Sequence, residues 1–541
     1  MKNNIIMKSM NKFFAICLGS LLVLSSCETA DLELTKNPNA LDPSQASADF
    51  FLNGIQEDFA SWAHSFGDVG GDFARINYMS GRSYANVYSP NSFDWRWSTA
   101  YQGMLEDIRL MNALSQERPY ALGMGEVMEA YIYLTLVDYF GDVPQSEALD
   151  AANGILNPNA SDGIDVYAHA IQKLDDAIAH FSTDGGAPEN DFFYKGDASK
   201  WIKAAGSLKK KAYLNTGNTS AYNGVSNYIK DVADDFQFQW GTNEAQPDTR
   251  HPYYRGSYTP TGGGYYMANW YMQTMMDGVD GIRDPRIRYY FYRQVDEVPG
   301  FDGVEADEEV LECGLEGYYN PYPDGIVFCS PGNGYWGRDH GNDNGIPPDG
   351  FQRTLHGSYP AGGVFDDRSF SSRKNGAGGG GAGITPIILS SWLHFMNAEV
   401  AGIETANGTN EILAGIADSM AKTSGFAGSP AMSSDAAGNI DVADYIAHFT
   451  STWTAASSAE KGNMWAKQFI IALWGNGTDG YNMYRRTGYP TDLQPNIEPD
   501  PGPFPNSMWY PNNYTSRNSN ATQKADVTGK VFWNTQSHNL K

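Results

Sequence analysis

Apolar side chains recur with a helical period over most of this chain. Val127, Tyr131, Leu134 and Asp138 fall at i, i+4, i+7 and i+11, with Ala130 and Val137 in the adjacent rows. That spacing predicts a helix with a wide apolar stripe. Gly141 stands where a C′ glycine belongs, and Pro144 prevents continuation. Just upstream, Phe93, Trp97, Ala100, Tyr101, Met104, Ile108 and Met111 trace a second helix over 92–116, capped by Asn91 or Ser92. Residues 117–125 are long enough to join the two as an antiparallel pair.

The same period predicts helices at 49–64, 164–181, 197–214, 386–403, 411–423, 442–453 and 461–473. Asp197 is the N-cap of its helix, with Trp201, Ala204, Ala205, Leu208 and Ala212 inward and Lys203, Lys209 and Lys210 mostly outward. Thr385 caps the helix that opens at Pro386. The expected fold class is mostly α, built from helix pairs, without a strict 34-residue period. Between the helices, 67–90 is a loop rich in Gly, Asn, Arg and Tyr. Residues 241–383 are loop-dense and aromatic, and the tail from Thr491 is irregular.

The N-terminus departs from this pattern. Lys2, Lys8 and Lys12 precede a short apolar run, 13–24, that ends in Leu24-Ser25-Ser26-Cys27. The run is too short to span a bilayer and reads as a signal peptide, residues 1–26, with a bacterial lipobox. Cys27 is then the lipidated residue, and 27–46 a polar, proline-containing tether. No other run could cross a membrane, so lipid is the expected anchor. Two other cysteines remain, Cys313 and Cys329, flanking a turn-rich stretch. Outside the cell they could be bridged or stay as two buried thiols; the sequence leaves both open.

A formal net charge of −26 over 541 residues argues against nucleic acid and anionic lipid surfaces as partners. No His-Glu-x-x-His, cysteine–histidine zinc cluster or Gly-x-Ser-x-Gly elbow occurs. Gly376-x-Gly378-x-x-Gly381 matches a dinucleotide fingerprint in letters only, because no strand precedes it. Asp339, Asn342, Asp343, Asn344 and Asp349 could ligate calcium through their oxygens but lack EF-hand spacing, so no cofactor is expected, with calcium at this cluster as the alternative. What remains is aromatic residues on loops beside polar groups. A ring offers a flat face to a pyranose, and Asn, Asp and Arg direct hydrogen bonds to hydroxyls. One such set is Tyr78, Arg82, Tyr84, Asn86 and Tyr88; a second is Tyr335, Trp336, Arg338 and Asp339.

Several stretches carry a resemblance. EAYIYLTLVDYFGDVPQSEAL (129–149), the Gly-Asp-x-x-Lys-Trp start within YKGDASKWIKAAGSLKKKAYL (194–214), the Arg-Asp-Pro-Arg of DGVDGIRDPRIRYYF (277–291) and WAKQFIIALWGNGTDGYNMYRRTGYP (465–490) resemble the SusD/RagB family of nutrient-binding outer-membrane lipoproteins of Bacteroidetes. YWGRDHGNDNGIPPDG and GSYPAGGVFDD resemble one branch of it. The resemblance implies a tetratricopeptide-like array over 47–541, with a loop-rich, ligand-facing subregion near 241–383. It implies a surface-exposed outer-membrane lipoprotein that binds an oligomeric nutrient without chemistry. The partner would be a SusC-like TonB-dependent barrel, capped as by a hinged lid. Glycan is the favoured ligand and oligopeptide the alternative. A surface glycosidase or esterase is the alternative of another class. The resemblance places ligand in this general surface but transfers no ligand residue one by one.

Overall fold

The computed structural model describes residues 47–183, 185–258, 265–294, 331–343, 353–365, 378–429, 431–433, 440–498, 500–536 and 540. The chain divides into two compact units, 1–47 and 48–541, and every element below belongs to the second. Cys27, the signal and tether, Cys313, Cys329, Gly376, Asn344 and Asp349 lie outside the described residues.

The helices of nine or more residues are α1 (Ala48–Phe73), α2 (Glu106–Leu114), α3 (Pro119–Phe140), α4 (Gly163–Phe181), α5 (Ala198–Asn215), α6 (Asn269–Asp277), α7 (Ser390–Ala401), α8 (Ala406–Thr423), α9 (Val442–Ala455), α10 (Ser458–Ala472) and α11 (Thr478–Thr487). Helix α3 packs on α4, α4 on α5, and α7 on α8, as expected of a mostly α, tetratricopeptide-like array. The described strands form two short antiparallel pairs: β1 (Phe236–Trp240) with β4 (Gly383–Ile388), and β2 (Phe291–Tyr292) with β3 (Leu355–His356).

Helix α3 is buried on nearly every side rather than along one stripe, so it is the axis of the fold. It starts at Pro119 and not after 125, because a proline at the first helical position needs no N–H partner there. Only 115–118 joins it to α2. Gly141 does end it, at φ +80°. The predicted helix over 92–116 is composite: a π-helical segment, Thr99–Leu105, sits between Asp94–Ser98 and α2.

Two further expectations are corrected. Helix α1 continues nine residues beyond His64, through Gly67, Gly70 and Gly71. These glycines mark a close approach, not a loop: a Cβ on Gly70 would lie 2.6 Å from the backbone of Thr478. Pro386 lies in β4 rather than opening a helix, and α7 begins at Ser390 without a side-chain cap. The strand is selected by its partner, β1, which a local reading of 386–403 cannot see. Lys210 is buried, its ammonium 3.7 Å above the Tyr222 ring, where an outward lysine was expected.

The family-like stretches turn out to be buried joints. Asp138 of α3 accepts hydrogen bonds from Tyr167, from Trp533 Nε1 at 3.1 Å and from Asn482 Nδ2 at 2.7 Å. Lys211 of α5 meets Asp479 of α11 at 3.0 Å, both 3 % exposed. Arg286 pairs with Asp284 at 2.5 Å and reaches Ser419 and Gln468 on α8 and α10. Asp197 accepts from the backbone of Ser199 and Lys200, as an N-cap should.

Candidate binding site

The C-terminal half of α1 carries one polar line through an apolar helix: His64, Asp68 and Asp72, spaced i, i+4, i+8. The line puts three polar side chains on one face. Asp68 retains a third of its side-chain exposure, whereas His64 keeps 6 %. Tyr253 donates its hydroxyl proton to Asp68 and accepts from Asn77 Nδ2 at 3.0 Å. Tyr88 donates to Asp72. The His64 ring lies 4.5 Å from that of Tyr253, and its Nε2 is 3.7 Å from Asp68.

Burial dominates the electrostatics. It raises Asp72 to about 7, against the opposing pull of the Tyr88 hydrogen bond, Arg96 and Arg75. It raises Asp68 well above the usual carboxylate range, with Asp72 adding to the rise. It lowers His64 to about 3, so that ring is neutral. Asp72 is thus held close to the proton affinity of neutral solution, and Asp68 is shifted in the same direction, so a carboxyl here can accept or donate hydrogen bonds.

Three loops close over this face. Gly341 N–H donates to Met79 O at 3.0 Å, and Tyr78 donates to Asn342 O. Ile497 N–H donates to His340 O at 3.1 Å, and Asn496 Nδ2 to Arg82 O at 3.0 Å. The Tyr78 and Tyr266 rings meet edge to face at 5.9 Å, with Arg338 and Arg353 at 4.5 and 3.9 Å from the Tyr266 ring centre. Tyr265 is half exposed, its ring against Gly256, where a Cβ would stand 2.7 Å from the ring edge. The result is a surface of partly open tyrosines bordered by carboxylates, an amide and arginines.

The two sets read from the sequence are therefore neighbours. Within them, accessibility differs. Arg82 is 54 % exposed, with Asp343 and Glu498 carboxylates 3.9 Å away, and Asn86 is exposed. Tyr84, Tyr88, Tyr335 and Trp336 are buried. Tyr84 accepts from Arg75 Nη2 at 3.2 Å, and Trp336 N–H donates to Thr354 at 2.9 Å. Arg338 is buried and donates to Asn342 O at 3.3 Å; Asp339 is buried and accepts from Asn269 at 3.3 Å. Asp68, Asp72, Asn77, Tyr265 and Tyr266 were not read from the sequence. The polar line in α1 was the available signal for the first two; nothing local distinguished the tyrosines. Among the described residues, no group of three or more His, Cys, Asp or Glu side chains could hold a metal.

A second concavity, of about 580 Å³, lies between α9, α10 and the turn at Asp280. On its wall Lys467 pairs with Asp492 at 2.5 Å, and Glu460 closes the capping box of α10 with Ser457.

A helical-repeat body that presents one loop-built face is a binding architecture. The family model described as "Starch-binding associating with outer membrane", SusD-like_2, matches residues 39–314, just over half of the chain, and the chain belongs to that family. Among solved structures, a SusD/RagB family protein from Bacteroides thetaiotaomicron is 18 % identical, with a TM-score of 0.65, covering 91 % of this chain and 100 % of its own. A SusD homolog from Bacteroides fragilis is 18 % identical with a TM-score of 0.61, over 91 % and 100 %. A chitin-binding SusD homolog from Flavobacterium johnsoniae is 15 % identical with a TM-score of 0.60, over 91 % and 99 %. None of the curated proteins matches. The protein is thus a SusD-like member of an outer-membrane-associated, nutrient-binding family.

Proposed function

We propose that this protein captures a glycan at the cell surface, held there by a lipid on Cys27, and passes it unaltered to a SusC-like TonB-dependent barrel. The observation that carries the ligand reading is the half-exposed Tyr265, its ring 6.0 Å from that of Tyr253, which bonds Asp68 and Asn77, together with the edge-to-face pair of Tyr78 and Tyr266 and the exposed Arg82. Open rings supply stacking faces for pyranoses, and the carboxyl, amide and guanidinium groups supply directed partners for hydroxyls. The family description and the chitin-binding relative support a glycan. The ligand contacts proposed are Tyr78, Tyr265, Tyr266, Arg82, Asn86 and Asp68; the buried Tyr84, Tyr88, Tyr335, Trp336, Arg338 and Asp339 form the wall behind them. No chemistry on the ligand is needed.

Calorimetric titration with chito- and malto-oligosaccharides tests the reading, and absence of binding to any oligosaccharide overturns it. A second reading, basic oligopeptide, is favoured by the formal net charge of −26; the same titration with Lys- and Arg-rich peptides separates the two. Chromatography of oligosaccharides after incubation tests the absence of turnover. Mass spectrometry of the N-terminal peptide tests diacylglyceryl attachment at Cys27, and isolation of outer-membrane complexes tests the barrel.

A further inference from the structure

A cavity of about 390 Å³ opens between the π-helical segment, the loop that follows α3 and the short helix Asn512–Arg517. That volume lies within the range of small-ligand sites. One wall is aromatic: the Trp97 ring stands 4.8 Å from that of Tyr101 and 4.7 Å from that of Tyr514. Pro144, Leu149 and Ile155 add aliphatic surface. Leu156 lines the cavity too and is 74 % exposed, the most exposed large hydrophobic side chain among the described residues.

The backbone around the cavity is unusual at two places. Leu149 has φ +60°, a left-handed conformation that bulky side chains seldom adopt. Tyr101 and Gln102 come from the π-helical segment, a form of backbone frequent at functional sites. The Tyr101 hydroxyl donates to Pro144 O at 2.7 Å and ties the π-helical segment to the loop.

The polar groups narrow the ligand. Asn513 N–H donates to Asp94 Oδ1 at 2.8 Å, and its Nδ2 donates to Asp94 O at 2.9 Å and to Ser98 Oγ at 2.7 Å. Its Oδ1 is buried and no donor reaches it, so an N–H or O–H from a ligand would satisfy it. Asp150 and Arg517 are the charged residues lining the cavity. Asp150 accepts from Asn153 Nδ2 at 2.6 Å, whereas Arg517 is exposed and makes no ion pair among the described residues. The unengaged charge is therefore a cation.

We propose that this cavity is a second binding site, for a small aromatic acid whose ring lies against Trp97 and Tyr514, whose ring N–H or O–H meets Asn513 Oδ1, and whose carboxylate meets Arg517. An apolar ring gains by leaving water at such a wall, and the guanidinium fork suits a carboxylate. A pyranose fits less well, because its hydroxyls would face aliphatic surface with few partners. The site shares no residue with the face around Tyr265 and takes a ligand of another class.

The test is calorimetric titration of the full-length protein in lipid nanodiscs, with empty nanodiscs as blank and indole-3-acetate as probe. Saturable binding at one site is expected. Indole-3-acetamide, which lacks the charge, and 1-methylindole-3-acetate, which lacks the ring N–H, should each bind about fivefold more weakly. Arg517→Gln should bring the acid down to the affinity of the amide, and Leu156→Asp, which sets a like charge at the cavity, should weaken the acid further. Both positions are exposed, and an unchanged melting temperature shows that the variants fold. No saturable binding of indole-3-acetate, equal affinity of acid and amide, or an affinity unchanged in both variants overturns the assignment.

Discussion

Asn482 on α11 donates a hydrogen bond to Asp138 on α3 at 2.7 Å, across 344 positions of sequence. Tyr167 and Trp533 donate to the same carboxylate, which is wholly buried. The first and last family-like stretches thus meet at one acid, and that acid fixes the scaffold rather than the ligand.

Removing the acid leaves three buried donors without an acceptor. Asp138→Ala should therefore lower stability by about 3 kcal/mol or more, whereas Asn482→Ala, which leaves Asp138 two donors, should cost about 1–2 kcal/mol. Urea midpoints of both variants check the order.

The Lys211–Asp479 pair makes a second test of buried charge. Burial opposes the ammonium, but Asp479, Tyr131 and Asp138 outweigh it and raise its pKa. Lys211→Met or Asp479→Leu alone should each cost about 3–5 kcal/mol, because each leaves an uncompensated charge. The double variant should lose far less than the sum; a thermal-unfolding cycle that comes out additive rules the coupling out.

Two titrating groups on α1 act in opposite directions with pH. His64 has a folded pKa of about 3 against 6.5, so its contribution is whole above pH 6.5 and is lost as pH falls toward 3. Asp72 has a folded pKa of about 7 against 3.8, so its contribution is whole below pH 3.8 and is lost as pH rises through 7. Asp72→Asn keeps the Tyr88 partner and should match wild type near pH 4 while melting higher above pH 7. Melting curves across that window give the answer.

At the proposed binding face, exposure is what distinguishes the residues assigned to ligand contact from those assigned to the wall. Tyr265→Ala should weaken oligosaccharide binding about tenfold, or about 1.4 kcal/mol, with an unchanged melting temperature. Tyr84→Ala, at a buried ring, should instead cost about 3 kcal/mol of stability. Equal affinity of Tyr265→Ala and wild type would move the ligand elsewhere.

Gly70 tests the contact that extended α1. Gly70→Ala forces a methyl toward the Thr478 backbone, 2.6 Å away, and should cost about 1–3 kcal/mol. A thermal shift of zero would mean that the helices can part freely.

The helices were legible because their signals are local. Period, caps and C′ glycines read the cores of α3, α4, α5, α8, α9 and α10, and Asp197 was correctly placed as a cap. Failures came where a distant segment decides. The glycines of 67–71 look like a loop until α11 is placed against them, and Pro386 looks like a helix start until β1 pairs with its strand. The candidate face was half legible: aromatic, polar loops could be read off the sequence, but burial could not. The polar line of α1 and the exposure of Tyr265 depend on which helix faces carry loops.

The amino-acid order alone determined a helical, acidic chain with a lipobox-type start, because those properties depend on neighbours within a few turns. The tertiary structure decided which tyrosines are open, which carboxyls are buried together and why the family-like motifs lie inside. Those depend on contacts between segments hundreds of residues apart, such as 138 with 482, and solvent exposure exists only after such segments have met.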